Sequence, residues 1–185
     1  MKKFNYKDEL KKIIENKQLT QVYLNGEPNQ FKVAYIIDAN SDYLTLGEIN
    51  DNTSLDGVGI YRIRDIALLK VDTVYLNEFI KQINHDSLYK QISSDLVGIK
   101  KFTIEGFVSV FENTNTVVEI LTEDANALVG RIIAHDDEAV VLAEFKAEVD
   151  RSMGRTYVNF DMIARIAVDI PYLRVISKSL TDKNL

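Results

Sequence analysis

Gly130-Arg131-Ile132-Ile133-Ala134-His135-Asp136-Asp137-Glu138-Ala139-Val140-Val141-Leu142 reads as two strands that meet at an acidic bend, with paired isoleucines before it and three aliphatic residues after it. The pattern occurs once earlier. Ala34, Ile36, Ile37, Asn40, Leu44, Leu46 and Glu48 stand 96 residues before Gly130, Ile132, Ile133, Asp136, Val140, Leu142 and Glu144. After one inserted residue, Ile66, Ala67, Val71, Asp72, Tyr75 and Leu76 match Ile163, Ala164, Val168, Asp169, Tyr172 and Leu173 at a spacing of 97. A pattern that recurs at nearly constant spacing marks a tandem repeat, here of one small β-rich unit.

Composition bounds what such a repeat can be. At 185 residues and 46% hydrophobic, the chain can bury a real core, and its length suits one domain or two small ones. The repeat favours two. Charged residues make up 27% and only two prolines occur, so only the polar residues 181–185 have the make-up of disorder. With no cysteine there is no disulfide or thiolate chemistry, and His85 and His135 are too few for a histidine-based metal cluster. No charged-then-apolar leader opens the sequence, and no apolar run approaches the roughly 18 residues a membrane span requires. A soluble cytoplasmic protein with no membrane partner is the expectation. The net charge of −6 is uneven: residues 1–93 carry 12 Lys and Arg against 13 Asp and Glu, and residues 94–185 carry 10 against 15. Phosphate-backbone binding draws on counterion release by a basic face, so this balance disfavours tight non-specific RNA binding while leaving room for a local basic pore.

In chain order, residues 5–16 suit a short amphipathic helix with Leu10, Ile13 and Ile14 on one stripe. Val22 and Leu24 alternate with Gln21, Tyr23 and Asn25, the period of a half-buried strand. Gly26-Glu27-Pro28-Asn29 reads as a turn. Residues 31–37 and 43–49 are strands around a polar turn at 38–42, and a loop at 50–57 precedes strands at 58–63 and 66–71. Residues 75–93 resume helical spacing, as one helix or as two with a cap near Asn84 or Asp86-Ser87. The second unit repeats the order. Residues 102–113 parallel the first helix, although Thr103, Val108, Val110 and Gly106 are poor helix formers, a glycine costing about 1 kcal/mol in a helix interior. Val118 and Ile120 match Val22 and Leu24, a turn falls at residues 124–126, and strands follow at 128–134, 139–146, 156–160 and 163–168.

A helix followed by five short, strongly bent antiparallel strands resembles the Sm-like barrels, the group of Sm, Lsm and bacterial Hfq proteins. The likeness rests on Val118-x-Ile120 ahead of Gly130-x-Ile132-x-x-x-Asp136, then Val140 and Leu142, and on Val22-x-Leu24 ahead of Ala34-x-Ile36-x-x-x-Asn40, then Leu44 and Leu46. It covers nearly all of both units. A strand that bends to serve two sheets favours a residue with little or no side chain where backbone closes over the bend, as at Gly130 and Ala34. The resemblance implies an RNA site made from an Asn in the loop between strands two and three and an Arg-Gly or Lys-His in the loop between strands four and five. This chain has Leu44 and Val140 at the position of that Asn. In the later loop it has Arg62-Ile63-Arg64-Asp65 and Asn159-Phe160-Asp161-Met162, so only Arg62, with Arg64, carries over, and Asp161 would repel phosphate.

Each candidate ligand residue has a plainer reading beside it. Arg62 and Arg64 suit phosphate or a base, as guanidinium forks do, but also a surface ion-pair cluster beside Asp65. Tyr35, Tyr43 and Tyr61 suit base stacking or a half-core position with the hydroxyl in water. Asn40, in the loop between strands two and three, is the remaining candidate of the first unit. Arg155, in the basic run Arg151-Ser152-Met153-Gly154-Arg155, suits a partner contact or an ordinary glycine-containing loop, and Lys100-Lys101 is a weaker basic pair. His135-Asp136-Asp137-Glu138 resembles a metal or acid/base cluster, but four consecutive residues fit a solvated turn better.

The expected fold is mainly β with helices: tandem five-stranded, strongly bent antiparallel Sm-like barrels, each preceded by a short helix. The divisions are 1–74, a helical connector 75–97, and 98–185. The expected function is a non-catalytic interaction or assembly module with no cofactor and no metal, the alternative being an RNA- or nucleotide-binding ring that uses Arg62 and Arg64. Sm-like rings hold six or seven units, so homo-oligomerisation through barrel edge strands, as three two-unit chains, is the expected assembly. A monomer or dimer in which the two units satisfy each other is the other arrangement.

Overall fold

The paired isoleucines of the repeat straddle bulges, and this shapes both halves. In the computed structural model, which describes residues 6–25, 30–96, 98–146, 151–168, 170, 173–174 and 176, the ladder slips between Ile36 and Asp38 and again, 96 residues on, between Ile132 and Ala134. A second slip repeats at Glu48/Ile49 and Glu144/Phe145. A bulge adds one residue and bends its strand, so Ile36 and Ile132 are fully buried while Ile37 and Ile133 lie half-buried beyond the kink.

Each half lays down a helix and five antiparallel strands. The first has α1 (Tyr6–Glu15), β1 (Leu19–Leu24), β2 (Lys32–Ala39), β3 (Tyr43–Ile49), β4 (Leu55–Arg62), a 3-10 turn (Ile63–Asp65) and β5 (Ile66–Lys70). Two helices connect the halves, α2 (Val74–Phe79), extended by a 3-10 turn, and α3 (His85–Asp95). The second half has α4 (Ile104–Phe111), β6 (Val118–Thr122), β7 (Ala127–His135), β8 (Ala139–Lys146), β9 (Arg151–Asn159), a 3-10 turn (Phe160–Met162) and β10 (Ile163–Val168). Side chains set the helix starts: Thr73, Asn84 and Thr103 accept the backbone N–H of Leu76, Ser87 and Gly106 at 3.2, 3.1 and 3.0 Å.

The ten strands of the described residues form one open antiparallel sheet in the order β5-β1-β2-β3-β4-β10-β6-β7-β8-β9. The two halves share one internal order, and β10 adds to β4 as a further strand. Alternation sorts β2 between two core clusters. Val33 and Tyr35 join a core that runs through both halves and takes in Leu76, Phe79, Leu88 and Ile92 of the connector. Ala34 and Ile36 join a smaller core under Leu10, Ile13 and Ile14 of α1.

Several expectations change. β1 is buried from Leu19 to Val22, with sheet on both sides, rather than half-buried. Asp38 and Ala39 continue β2, leaving Asn40 to Asp42 as the turn, and β4 begins within the expected loop, at Leu55. The connector is two helices, with Asn84 as the cap of the second. The expected glycine-containing loop at 151–155 is instead the start of β9. The residue matching also moves: Gly130 pairs with Val118 and Ala34 with Thr20, so Val118 corresponds to Thr20 and Ile120 to Val22. A shift of two keeps every side chain on its face, so periodicity alone cannot detect it. The proposed turn at 26–29 and the tail at 181–185 lie outside the described residues.

Candidate functional site

The two halves meet where β4 pairs with β10, in the register Tyr61–Arg165, Ile60–Ile166, Gly59–Ala167 and Val58–Val168. Ile60 and Ile166 are both 0% exposed. Beside them is a buried charge network. The Arg165 guanidinium reaches Glu48 at 3.2 Å and Glu119 at 2.8 Å, and the second Glu48 oxygen meets Lys32 Nζ at 2.7 Å. Tyr61 donates its hydroxyl to Glu48, and the guanidinium lies over its ring, 5.2 Å from the centroid. Gly59 makes room, since a Cβ there would stand 3.0 Å from the Tyr61 ring and 3.2 Å from Glu48. Burial opposes charge on Glu48, but Arg165 and Lys32 outweigh it and hold the carboxyl below its ordinary value. Burial, then Glu48, pushes the Tyr61 hydroxyl well up. Two carboxylates and two cations, each in an ion pair, tie β2, β3, β6 and β10 together here.

Three of the expected ligand residues come together at this joint, already engaged. Tyr61 is buried, with no ring face open for stacking. Arg62 braces the halves, donating from Nε to the Ile163 carbonyl at 2.6 Å and from Nη2 to the Phe160 carbonyl at 2.5 Å. Arg64 pairs with Glu123 at the surface. A cavity of about 370 Å³ lies here, lined by Tyr61, Arg64, Thr122, Glu123 and Arg165 among others. Asn40 closes its own turn, accepting the N–H of Asp42 and Tyr43 at 2.9 Å and donating to the Phe102 carbonyl at 2.9 Å. Its repeat partner Asp136 does the same for Glu138 and Ala139, at 2.8 Å, which lowers its pKa.

The other candidates are scattered. Tyr35 is buried against His85, its hydroxyl 2.7 Å from Nδ1. Tyr43 is half-buried. Arg155 is exposed on β9, far along the sheet from Arg62, and the side chains of Arg151, Ser152 and Met153 lie outside the described residues. Lys100 and Lys101 are exposed. His135 stands between Glu112 and Ser109, its Nδ1 3.1 Å from the carboxylate and its Nε2 3.2 Å from the hydroxyl. Among the described residues no group of three or more His, Asp or Glu is placed to hold a metal, and no helix is long and apolar enough to cross a membrane. The joint's own residues, Glu48, Glu119, Arg165 and Lys32, escaped sequence reasoning. The one signal was Glu48 recurring as Glu144.

The sheet's end strands are the counterparts of the joint strands. In each half the last strand, β5 or β10, lies beside the first, β1 or β6, and the fourth, β4 or β9, ends the run. β10 and β4 cover each other. β5 and β9 face outward, where Leu68 is 45% and Tyr157 69% exposed. A groove of about 390 Å³ runs beside β9, between Thr122, Asn126 and Leu128 on one side and Tyr157, Val158 and Met162 on the other. No protein-family model, curated protein or solved structure matches this chain. The geometry of the joint and the edges is therefore what bears on function.

Proposed function

We propose that the chain is a non-catalytic assembly module made of two Sm-like units, working through the edges of its sheet. The observation that carries this is the β4–β10 joint: one half adds to the other strand by strand, and among the described residues the same two strand types, β5 and β9, pair with a neighbour on one side only. An uncovered strand is a template for another strand unless it is blunted by charge, proline or a covering element. β5 presents Leu68 and Lys70 there, and β9 presents Tyr157 and Arg155, so each edge is apolar in part. One helix and five bulged antiparallel strands per half accord with the Sm-like plan, and an even number of units per chain suits a six-unit ring of three chains.

The alternative is an RNA- or nucleotide-binding ring. The cavity beside Arg64 favours it, but the cations there already have carboxylate or carbonyl partners, and the net charge is −6. RNA binding by the purified chain at two salt concentrations separates the two readings. The assembly reading predicts no saturable, salt-sensitive binding. It also predicts that Arg62→Ala lowers stability by about 2 kcal/mol, through two lost charge-assisted bonds, without changing any residual RNA affinity. Binding that weakens with salt and falls further in Arg62→Ala would instead establish the RNA reading.

A further inference from the structure

We infer that the cavity between β2, the loop after β3 and the start of α2 binds an organic cation, an alkylammonium or guanidinium group on a short apolar stem. The site does not depend on the assembly reading above. The cavity measures about 340 Å³, and its wall includes Phe31, Lys32, Glu48, Asp51, Asp56 and Tyr75. Its charge is one-sided. Lys32 is engaged with Glu48 at 2.7 Å, and among the described residues neither Asp51 nor Asp56 forms an ion pair. Two carboxylates therefore line the cavity with no cation of the chain against them. Burial, then the Glu48 charge, raises the Asp56 pKa, and a hydrogen bond from Asn50 and the charges of Lys32 and Arg165 offset this only in part. A bound cation relieves that strain on the charged form.

The rest of the wall is aromatic. Phe31 and Tyr75 meet edge to face, with centroids 5.2 Å apart and planes at 79°, and they are flanked by Tyr23, 5.4 Å from Phe31, and the buried Phe79, 5.8 Å from Tyr75. The row is anchored on Phe79, yet Phe31 and Tyr75 remain 36% and 41% exposed. Exposed rings beside carboxylates suit a cation on an apolar stem, the rings through their quadrupole and apolar area and the carboxylates through charge. The row already takes one cation, since Lys70 Nζ lies 4.8 Å from the Tyr23 centroid. Asp51 stands close enough to Tyr75 for its charge, after burial, to raise the phenol's pKa. Its loop is fixed by Asn50, whose side-chain oxygen accepts the N–H of Asn52 at 3.0 Å and of Ser54 at 3.2 Å. No three acidic groups among the described residues converge to hold a metal, so the layout suits an extended organic cation rather than a metal ion. The repeat shows that the fold does not require these residues. At the matched positions of the second half, Ala127, Leu128 and Met153 replace Phe31, Lys32 and Asp56.

Calorimetric titration of the full-length chain with agmatine, a guanidinium and an ammonium on one short aliphatic stem, tests the site. Saturable binding that weakens with salt is expected, and butyrate, an anion on a similar stem, should not bind. Asp56→Asn should weaken agmatine binding about tenfold, because a charge-assisted contact becomes a neutral one. Tyr75→Leu should weaken it about threefold, because the apolar bulk stays while the ring quadrupole goes. Asp51→Asn, at a fully exposed position, should weaken it with the thermal melt unchanged. A blocked Gly-Arg-Gly peptide distinguishes the source of the cation. Binding at least as tight as that of agmatine identifies an arginine side chain of a partner, and binding of agmatine alone identifies a free amine. No saturable binding of either probe, equal binding of butyrate, or equal affinity in the native chain and all three variants would overturn the site and leave the assembly reading standing.

Discussion

Glu48→Ala is expected to destabilise the chain by about 3–5 kcal/mol, because removing one member of a buried ion cluster leaves the others charged without a partner. Glu48 is the hub. It takes Arg165 and Tyr61 on one oxygen and Lys32 on the other, and it links β3, β4, β2 and β10 across the boundary between the halves. Urea unfolding at neutral pH checks the size of the loss. Its acid limb checks the mechanism. The folded carboxyl titrates below its ordinary 4.5, so its stabilisation is complete above that value and is lost as pH falls through the folded value. Glu48→Gln should therefore be less stable than the native chain at neutral pH, with the gap narrowing in acid. A gap independent of pH would mean that Arg165 and Lys32 do not hold Glu48 charged.

Gly130→Val is expected to cost about 2–3 kcal/mol by overpacking, with a lower melting temperature and a weakened second half. A Cβ on Gly130 would stand 2.5 Å from the Ala143 carbonyl oxygen and 3.1 Å from the Glu144 Cα. Both are backbone atoms of the paired strand and cannot turn aside as a side chain can. An unchanged melt would contradict this packing. Gly106 has a comparable explanation, since its Cβ would lie 2.3 Å from the Lys101 carbonyl. A glycine unfavourable to an isolated helix is what lets α4 start beside that backbone.

These two positions illustrate what the sequence makes legible. The repeat is visible because bulges demand the same residues twice: isoleucine pairs at the kinks, Gly130 or Ala34 at a close approach, Asn40 or Asp136 to close the turn. Strand count and the β3, β8 and β10 boundaries follow from that pattern. The β1 correspondence was misplaced by two residues, because a two-residue slip preserves alternation. The β9 start was missed because Gly154 in a basic run looks like a loop, whereas here it sits opposite Glu144 at a bulge. The joint was least legible. Glu48, Glu119 and Arg165 lie as much as 117 residues apart, and only the addition of β10 to β4 brings them together. Arg62 and Tyr61 have side-chain types that suit RNA, and they suit a buried joint equally well.

The mass of the native chain in solution at micromolar concentration tests the central claim most directly. A closed assembly of three chains, independent of added RNA, is the predicted result. A single-chain mass at every concentration would contradict the claim that β5 and β9 are assembly edges.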